Sequence, residues 1–357
     1  MIMNRGKDDE TGDKMRIFLA SYQGIMLNKS GPSYKLIHTK KALQELGVDV
    51  DFYDMWNSNL KIEKSDLFHI FNASIATYAL AANLKRFGAK YVVNPIFFSN
   101  HSASTLRLYQ TIEKPVKAIL KRTMSDYSFT KYICDEAERV LPNTKSEGML
   151  LADGLNVEKQ KIEVIHNGVE ERFANSDPEL FNKKFGVKDA VLYVGHLGSY
   201  RKNGMNIIRA LQRIDTPVFM FANVYNNAEG KRCVAEIERS KNINFQNWIE
   251  HDDPLLESAY AACDTFVLPT RYETPGRAAL EAGLAGAKIV ITPYGGTKEY
   301  FGDQAEYPDP TSISSIQESI ETALNKKKNS ELSRHIKENY IWPVIAEKTV
   351  EMYKNLK

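Results

Sequence analysis

Thr270-Arg271-Tyr272-Glu273-Thr274-Pro275-Gly276-Arg277-Ala278-Ala279-Leu280-Glu281-Ala282-Gly283-Leu284-Ala285-Gly286-Ala287-Lys288-Ile289 follows an apolar run ending at Pro269. The stretch reads as the end of a strand, a tight loop and the start of a helix, with carboxylates Glu273 and Glu281 eight positions apart. In an open parallel α/β sheet, ligands bind beyond the carboxyl ends of the strands. A helix N-terminus there offers unpaired N–H groups and a positive dipole end to an anion. Gly276 lets a backbone approach closely, Ala278 and Ala279 keep the first turn uncrowded, and a carboxylate accepts hydrogen bonds from sugar hydroxyls. Two readings fit this spacing. One is a turn that binds phosphate and sugar; the other is a plain strand-loop-helix unit in which Glu273 caps the helix and Glu281 is solvated.

Outward from this stretch, strand and helix signals alternate. Before it come strands at 191–194, 218–222, 243–246 and 265–268, and after it one at 289–292. The N-terminal half shows strands at 15–20, 48–53, 67–71 and 91–94, with helical spacing at 34–46 and 75–87. Short strands at 139–143 and 161–165 flank a helix at 145–153. Such alternation describes parallel βαβ units. The polar stretch 170–189 carries no strong strand signal and is read as containing the domain boundary. The expected organisation is an extension over 1–14, a first Rossmann-like domain over 15–175, a second over 185–341, and a last amphipathic helix with Trp342, Ile345, Val350 and Tyr353 as its apolar positions.

A chain of 357 residues with 43% hydrophobic content is long enough for two domains. A net charge of +2 is too mild to imply a nucleic-acid partner. Three widely spaced cysteines without metal-type spacing point to a reducing, cytoplasmic setting. Residues 1–14 are polar and charged without an apolar core segment, so they read as a flexible extension rather than a signal peptide. No run approaches the ~18 apolar residues that a spanning helix needs. Asp252-Asp253 lacks companion ligands for a metal, and no phosphate loop or Ser/His/Asp arrangement is visible.

Three further features carry chemistry. Tyr193-Val194-Gly195-His196-Leu197-Gly198-Ser199-Tyr200-Arg201-Lys202-Asn203-Gly204 is a strand running into a loop with two adjacent cations, suited to a diphosphate or simply solvated. Asn247-Trp248-Ile249 follows another strand. The segment 114–122 combines apolar residues with a basic face that either lies in solvent or rests on anionic lipid.

The segment from Glu273 to Glu281 resembles the Glu-x7-Glu signature of the retaining, GT-B-fold glycosyltransferases of family 4, the glycosyl transferases group 1. Val290-Ile291-Thr292-Pro293-Tyr294-Gly295-Gly296-Thr297-Lys298-Glu299 resembles that family's next strand and Gly-Gly loop. Val140-Leu141-Pro142-Asn143 and Val164-Ile165-His166-Asn167-Gly168-Val169 extend the likeness over nearly the whole chain from Met15. The resemblance implies two Rossmann-like domains facing a central cleft, with the C-terminal helix crossing back to the first. It implies transfer of a sugar from a nucleoside-diphosphate sugar to a hydroxyl of a saccharide or lipid-linked acceptor, with no cofactor and no essential metal.

By the same resemblance, Glu281 holds the nucleotide ribose and Glu273 the transferred sugar. The amides of Gly276 and Arg277, with Thr274 beside them, face sugar and diphosphate. Lys202 grips the phosphates. The family's usual arginine is replaced by His196, which leaves Arg201, in a loop one residue longer, as a substitute. Pro275 stands where the family usually has an aromatic residue. Trp248 falls where the family holds the base, or is a core or cleft-wall residue. Gly31, in the loop 23–33, matches one glycine of a phosphate-side loop, or belongs to a simple β-α connection. His101 falls near a sugar-contacting histidine, or is a surface-loop residue. The alternatives to transfer are nucleotide-sugar binding without activity, and a GT-B phosphorylase or epimerase.

Overall fold

The computed structural model describes residues 15–27, 31–99, 101–119 and 125–356, the side chains of 114–119 excepted. The extension over 1–14, Lys29 and Ser30 of the first loop, and the basic face of 114–122 lie outside the described residues. The chain divides into two compact units. One comprises Met1–Pro142, Gly148–Val164 and Ala346–Lys357; the other comprises Asn143–Glu147 and Ile165–Ile345.

The first unit holds strands β1 (Ile17–Ala20), β2 (Val50–Phe52), β3 (Leu67–Phe71), β4 (Lys90–Asn94) and β5 (Arg139–Val140) in the order β2-β1-β3-β4-β5. All pairs are parallel. β3 is buried along its length, as a parallel strand covered on both faces should be. Within it His69 faces Tyr353 of the last helix, Trp342–Lys354, with Nδ1 2.6 Å from the tyrosine hydroxyl. The helix Ile75–Arg86 starts at a reciprocal cap made by Ser74 and Thr77. The expected strand over 161–165 is reduced to a single bridge between Val140 and Ile162. β5 has only two residues, so little edge remains for a neighbour to pair with. The helix expected at 145–153 runs over Lys145–Met149 and continues as a wider π turn, Leu150–Gly154.

The second unit holds β6 (Val191–Leu197), β7 (Val218–Val224), β8 (Ile243–Asn247), β9 (Thr265–Leu268), β10 (Lys288–Ile291) and the two-residue β11 (Ala305–Glu306), in the order β11-β10-β9-β6-β7-β8. All pairs are again parallel. From its first strand outward the sheet runs one way through β7 and β8 and the other way through β9, β10 and β11. The strand order therefore reverses between β6 and β9, where ligands of doubly wound sheets bind. These two strands pair only through Val191 with Thr265 and Leu192 with Phe266. The stretch 170–189 is not a linker. It lies inside this unit as a 3-10 turn (Glu171–Asn175) and a helix (Glu179–Phe185), and it anchors Phe173 and Phe181 in the core. Two aromatic residues eight apart outweigh the polar residues around them. The three cysteines are buried free thiols. Among the described residues no helix is long and apolar enough to cross a membrane.

Candidate active site

At the carboxyl end of β6 the chain passes through Gly198 into the 3-10 turn Tyr200–Lys202. At the end of β9 it passes through Thr270 and Glu273 to Gly276. The strand reversal brings these two loops together. Lys202 Nζ lies 2.7 Å from Glu273 Oε1 and Arg201 Nη1 3.3 Å from the same oxygen. Arg201 also donates to the carbonyl of Tyr272 at 3.0 Å, and the amide of Arg271 donates to the carbonyl of Arg201 at 2.9 Å. Glu273 is 7% exposed. Burial pushes its pKa up, but the charges of Lys202 and Arg201, with hydrogen bonds from Lys202 and Thr270, bring it below the ordinary value. The side chain is an anion paired with a half-exposed arginine and a largely buried lysine: Arg201 is 45% exposed and Lys202 15%.

The backbone of Glu273 is fixed from the other side. Its amide donates to Tyr294 and its carbonyl accepts from Gly296, a one-residue parallel bridge to the loop after β10. At Gly295, with φ +102°, a Cβ would fall 2.0 Å from the Glu273 carbonyl oxygen. Only glycine fits. Gly276 adopts φ +83° at the start of the helix Arg277–Leu284. Thr274 precedes it through a cis bond to Pro275 and shares a hydrogen bond with the Tyr272 side chain.

Glu281, 1% exposed, lies in that helix. Its Oε1 faces His251 Nε2 at 2.8 Å and Arg277 Nε at 3.2 Å, and its Oε2 accepts from the Tyr260 hydroxyl at 2.9 Å. Burial raises its pKa, and the hydrogen bond from His251 with the charge of Arg277 more than reverses this. Glu281 is thus a buried, fully ionised acceptor rather than a solvated surface residue. His251, Tyr260 and Arg172, which approaches His251 from the stretch 170–189, carry no local motif. Their separation of 21 to 109 positions from Glu281 hides them from sequence reading.

His196 stands at the end of β6. Its ring is 5.2 Å from Trp248 and 5.6 Å from Tyr225, which follow β8 and β7. Burial, then the charges of Lys202, Arg201 and Arg277, push its pKa down. A neutral imidazole between two aromatic rings therefore occupies the position expected to carry a cation. Trp248 is 37% exposed on this cluster rather than a core residue. The second unit thus gathers Arg201, Lys202, Glu273, Thr274, Gly276, Arg277, Glu281, His196 and Trp248 around one end of its sheet. Gly31 and His101 belong to the first unit: Gly31 opens the helix Gly31–Glu45, and His101 is exposed with its ring 5.3 Å from Tyr109. Asp253 caps the helix Pro254–Ala262.

Comparison with known proteins adds a family match and a shared fold. Residues 178–341 match the family described as Glycosyl transferases group 1. An uncharacterized glycosyltransferase of Methanocaldococcus jannaschii is 25% identical over 317 residues, 83% of this chain and 76% of that protein. A processive diacylglycerol alpha-glucosyltransferase of Acholeplasma laidlawii is 23% identical over 285 residues, 78% of each. The fold is shared with sucrose-phosphate synthase from Thermosynechococcus elongatus, with TM-score 0.72, 15% identity, and coverage of 96% of this chain and 99% of that one. It is shared also with Anabaena HepE in complex with UDP and glucose, with TM-score 0.65, 16% identity, and coverage of 96% and 100%. Residues 178–341, inside the second unit, therefore match the family described as Glycosyl transferases group 1, and the chain has the GT-B fold.

Proposed function

We propose that this protein is a retaining hexosyltransferase that takes a sugar from a nucleoside-diphosphate sugar and passes it to a hydroxyl of a saccharide or lipid-linked acceptor. Cell-envelope glycan synthesis on the cytoplasmic side of the membrane is the setting this reading implies. The carrying observation is the convergence of Lys202, Arg201 and Arg277 on the end of the sheet that also presents Glu273, Gly276 and the buried Glu281. Departure of a diphosphate leaves growing negative charge, and preorganised cations with helix-start amides stabilise it. In this reading Glu281 accepts from the ribose, Glu273 from the transferred sugar, and the Trp248 side of the sheet receives the base. No metal or cofactor takes part, and the second unit is the donor domain. With no nucleophile assigned, the acceptor attacks from the face the diphosphate leaves, and a phosphate oxygen takes its proton. Support for a lipid-linked acceptor comes from the name of the Acholeplasma laidlawii relative.

The test is transfer of isotope-labelled sugar from UDP-, GDP- and ADP-sugars to saccharide and lipid acceptors, with the anomeric configuration of the product read by NMR. Labelled product of unchanged configuration is the expected result. Binding without turnover on any acceptor would instead favour a nucleotide-sugar-binding protein. Sugar phosphate or an isomerised donor, formed without acceptor, would favour a phosphorylase or epimerase.

A further inference from the structure

The residues behind Glu281 form a directed chain of donors. Arg172, in the turn Glu171–Asn175, donates through Nη2 to the carbonyl of His251 at 2.8 Å, and the same nitrogen stands 3.2 Å from His251 Nδ1. A guanidinium can only donate, so the imidazole nitrogen facing it is the acceptor and the ring proton sits on Nε2. That nitrogen points at Glu281 Oε1, 2.8 Å away. Arg172 is itself held by Glu257 through Nη1 and by Glu170 Oε2 at 3.3 Å, with its guanidinium 4.4 Å over the ring of Phe173. Glu170 Oε2 also lies 3.5 Å from His251 Nδ1. Arg277 Nε adds an ion pair to the same oxygen at 3.2 Å. Among the described residues Oε2 receives one hydrogen bond, from Tyr260, and keeps a lone pair.

We infer that Arg172 and His251 are positioning residues that select ribonucleotides: they fix the imidazole tautomer and clamp Glu281, so that its carboxylate is held in one orientation for a ribose hydroxyl of the donor. The inference rests on the reading of Glu281 as the ribose ligand. Apolar packing would stabilise this spot at least as well as this cluster of ionisable side chains. A set of donors ending on one carboxylate oxygen is what orientation of that carboxylate requires.

The experiment is calorimetric titration of the full chain with UDP, GDP and ADP, followed by titration of the tightest binder against its 2′,3′-dideoxy counterpart. Wild type should prefer the ribonucleotide about tenfold or more, the scale of one hydrogen bond to a charged group. Glu281→Gln, Arg172→Leu and His251→Leu should bring the ratio close to one while affinity for the dideoxy form changes little. His251→Gln, which keeps an N–H donor, should retain the preference. Loss of affinity for both nucleotides equally would mark a merely structural role and overturn the inference. So would a ratio that falls in Glu281→Gln but survives in the Arg172 and His251 variants. A wild type without preference, or a Glu281→Gln protein that keeps it, would overturn the ribose reading itself. Should the leucine variants not fold, Arg172→Gln decides. Its side chain ends short of His251 and can hold neither the carbonyl nor Nδ1, so the preference should drop, and an unchanged ratio overturns the inference.

Discussion

Lys202 and Glu273 are 71 positions apart and meet at 2.7 Å because the sheet reverses its strand order between the two strands that carry them. The pair neutralises two groups within the protein, so in the proposed reading an incoming diphosphate competes with Glu273 for both Lys202 and Arg201, and with Glu281 for Arg277. Lys202→Met should lower kcat by roughly 10²–10³, the range found for loss of one preorganised electrostatic partner. Steady-state kinetics on the identified donor check this. Loss confined to KM would instead make Lys202 a ground-state binding group.

His196 should be neutral at pH 7. Its imidazole proton signals, followed by NMR, should titrate with a midpoint below the ordinary 6.5. An unfolded histidine takes its proton at 6.5 and the native one only at lower pH. The contribution to stability is therefore complete above 6.5 and declines as pH falls below it. His196→Phe, which keeps the aromatic contact with Trp248 and Tyr225, should leave nucleotide affinity nearly unchanged; a drop comparable to that of Lys202→Met would assign His196 a charge-bearing role.

Glu273 and Glu281 shift the opposite way. Both native carboxyls lie below the ordinary 4.5, so their contribution is complete above that pH and lost as acid carries the native groups through their lowered values. Urea midpoints between pH 7 and 3 should stay flat from these groups until about pH 5, then fall. Glu281→Gln should flatten the acid limb, and an unaltered limb would remove Glu281 from the balance.

In the first unit, His69 is fully buried against Tyr353, and desolvation followed by the charge of Lys35 pushes its pKa down to about 3. Its contribution is full above 6.5 and disappears progressively toward 3. Single replacement of either partner should destabilise by about 1–3 kcal/mol, because the other polar group stays buried alone. The double variant His69→Phe with Tyr353→Phe should cost less than the sum of the two. Denaturation of all four proteins gives the coupling energy, and strict additivity would show that the contact contributes nothing.

Gly295→Ala should destabilise by about 2–4 kcal/mol, since a methyl group would meet the Glu273 carbonyl on a backbone with positive φ. Chemical denaturation measures it, and a change within ±0.5 kcal/mol would show that the loop shifts freely.

Much of this was legible beforehand because apolar runs in parallel sheets are nearly continuous. β3 and β6 through β10 stand where their hydrophobic segments place them. β11 has only two residues and leaves no periodic trace. The stretch 170–189 carries no periodic signal because its core residues, Phe173 and Phe181, are only two apolar anchors among polar neighbours. At the site, glycines and charges in loops mark where the chain turns but not which charges meet. Glu281 shows this best. Its place in a helix is evident from spacing, whereas its partners His251 and Tyr260 depend on how separate elements pack.

The five residues Asn143–Glu147 belong to the second unit although the chain on either side belongs to the first. Thr144 packs against Gly296 so closely that a Cβ there would lie 2.2 Å from it, Glu147 is buried, and the Asn143 carbonyl accepts from the Tyr300 hydroxyl. A fragment cut at residue 165 to isolate the second unit would therefore lack a patch of its own interior. Dissection of this enzyme into autonomous pieces calls for a rearranged chain that carries those five residues along, not a simple truncation.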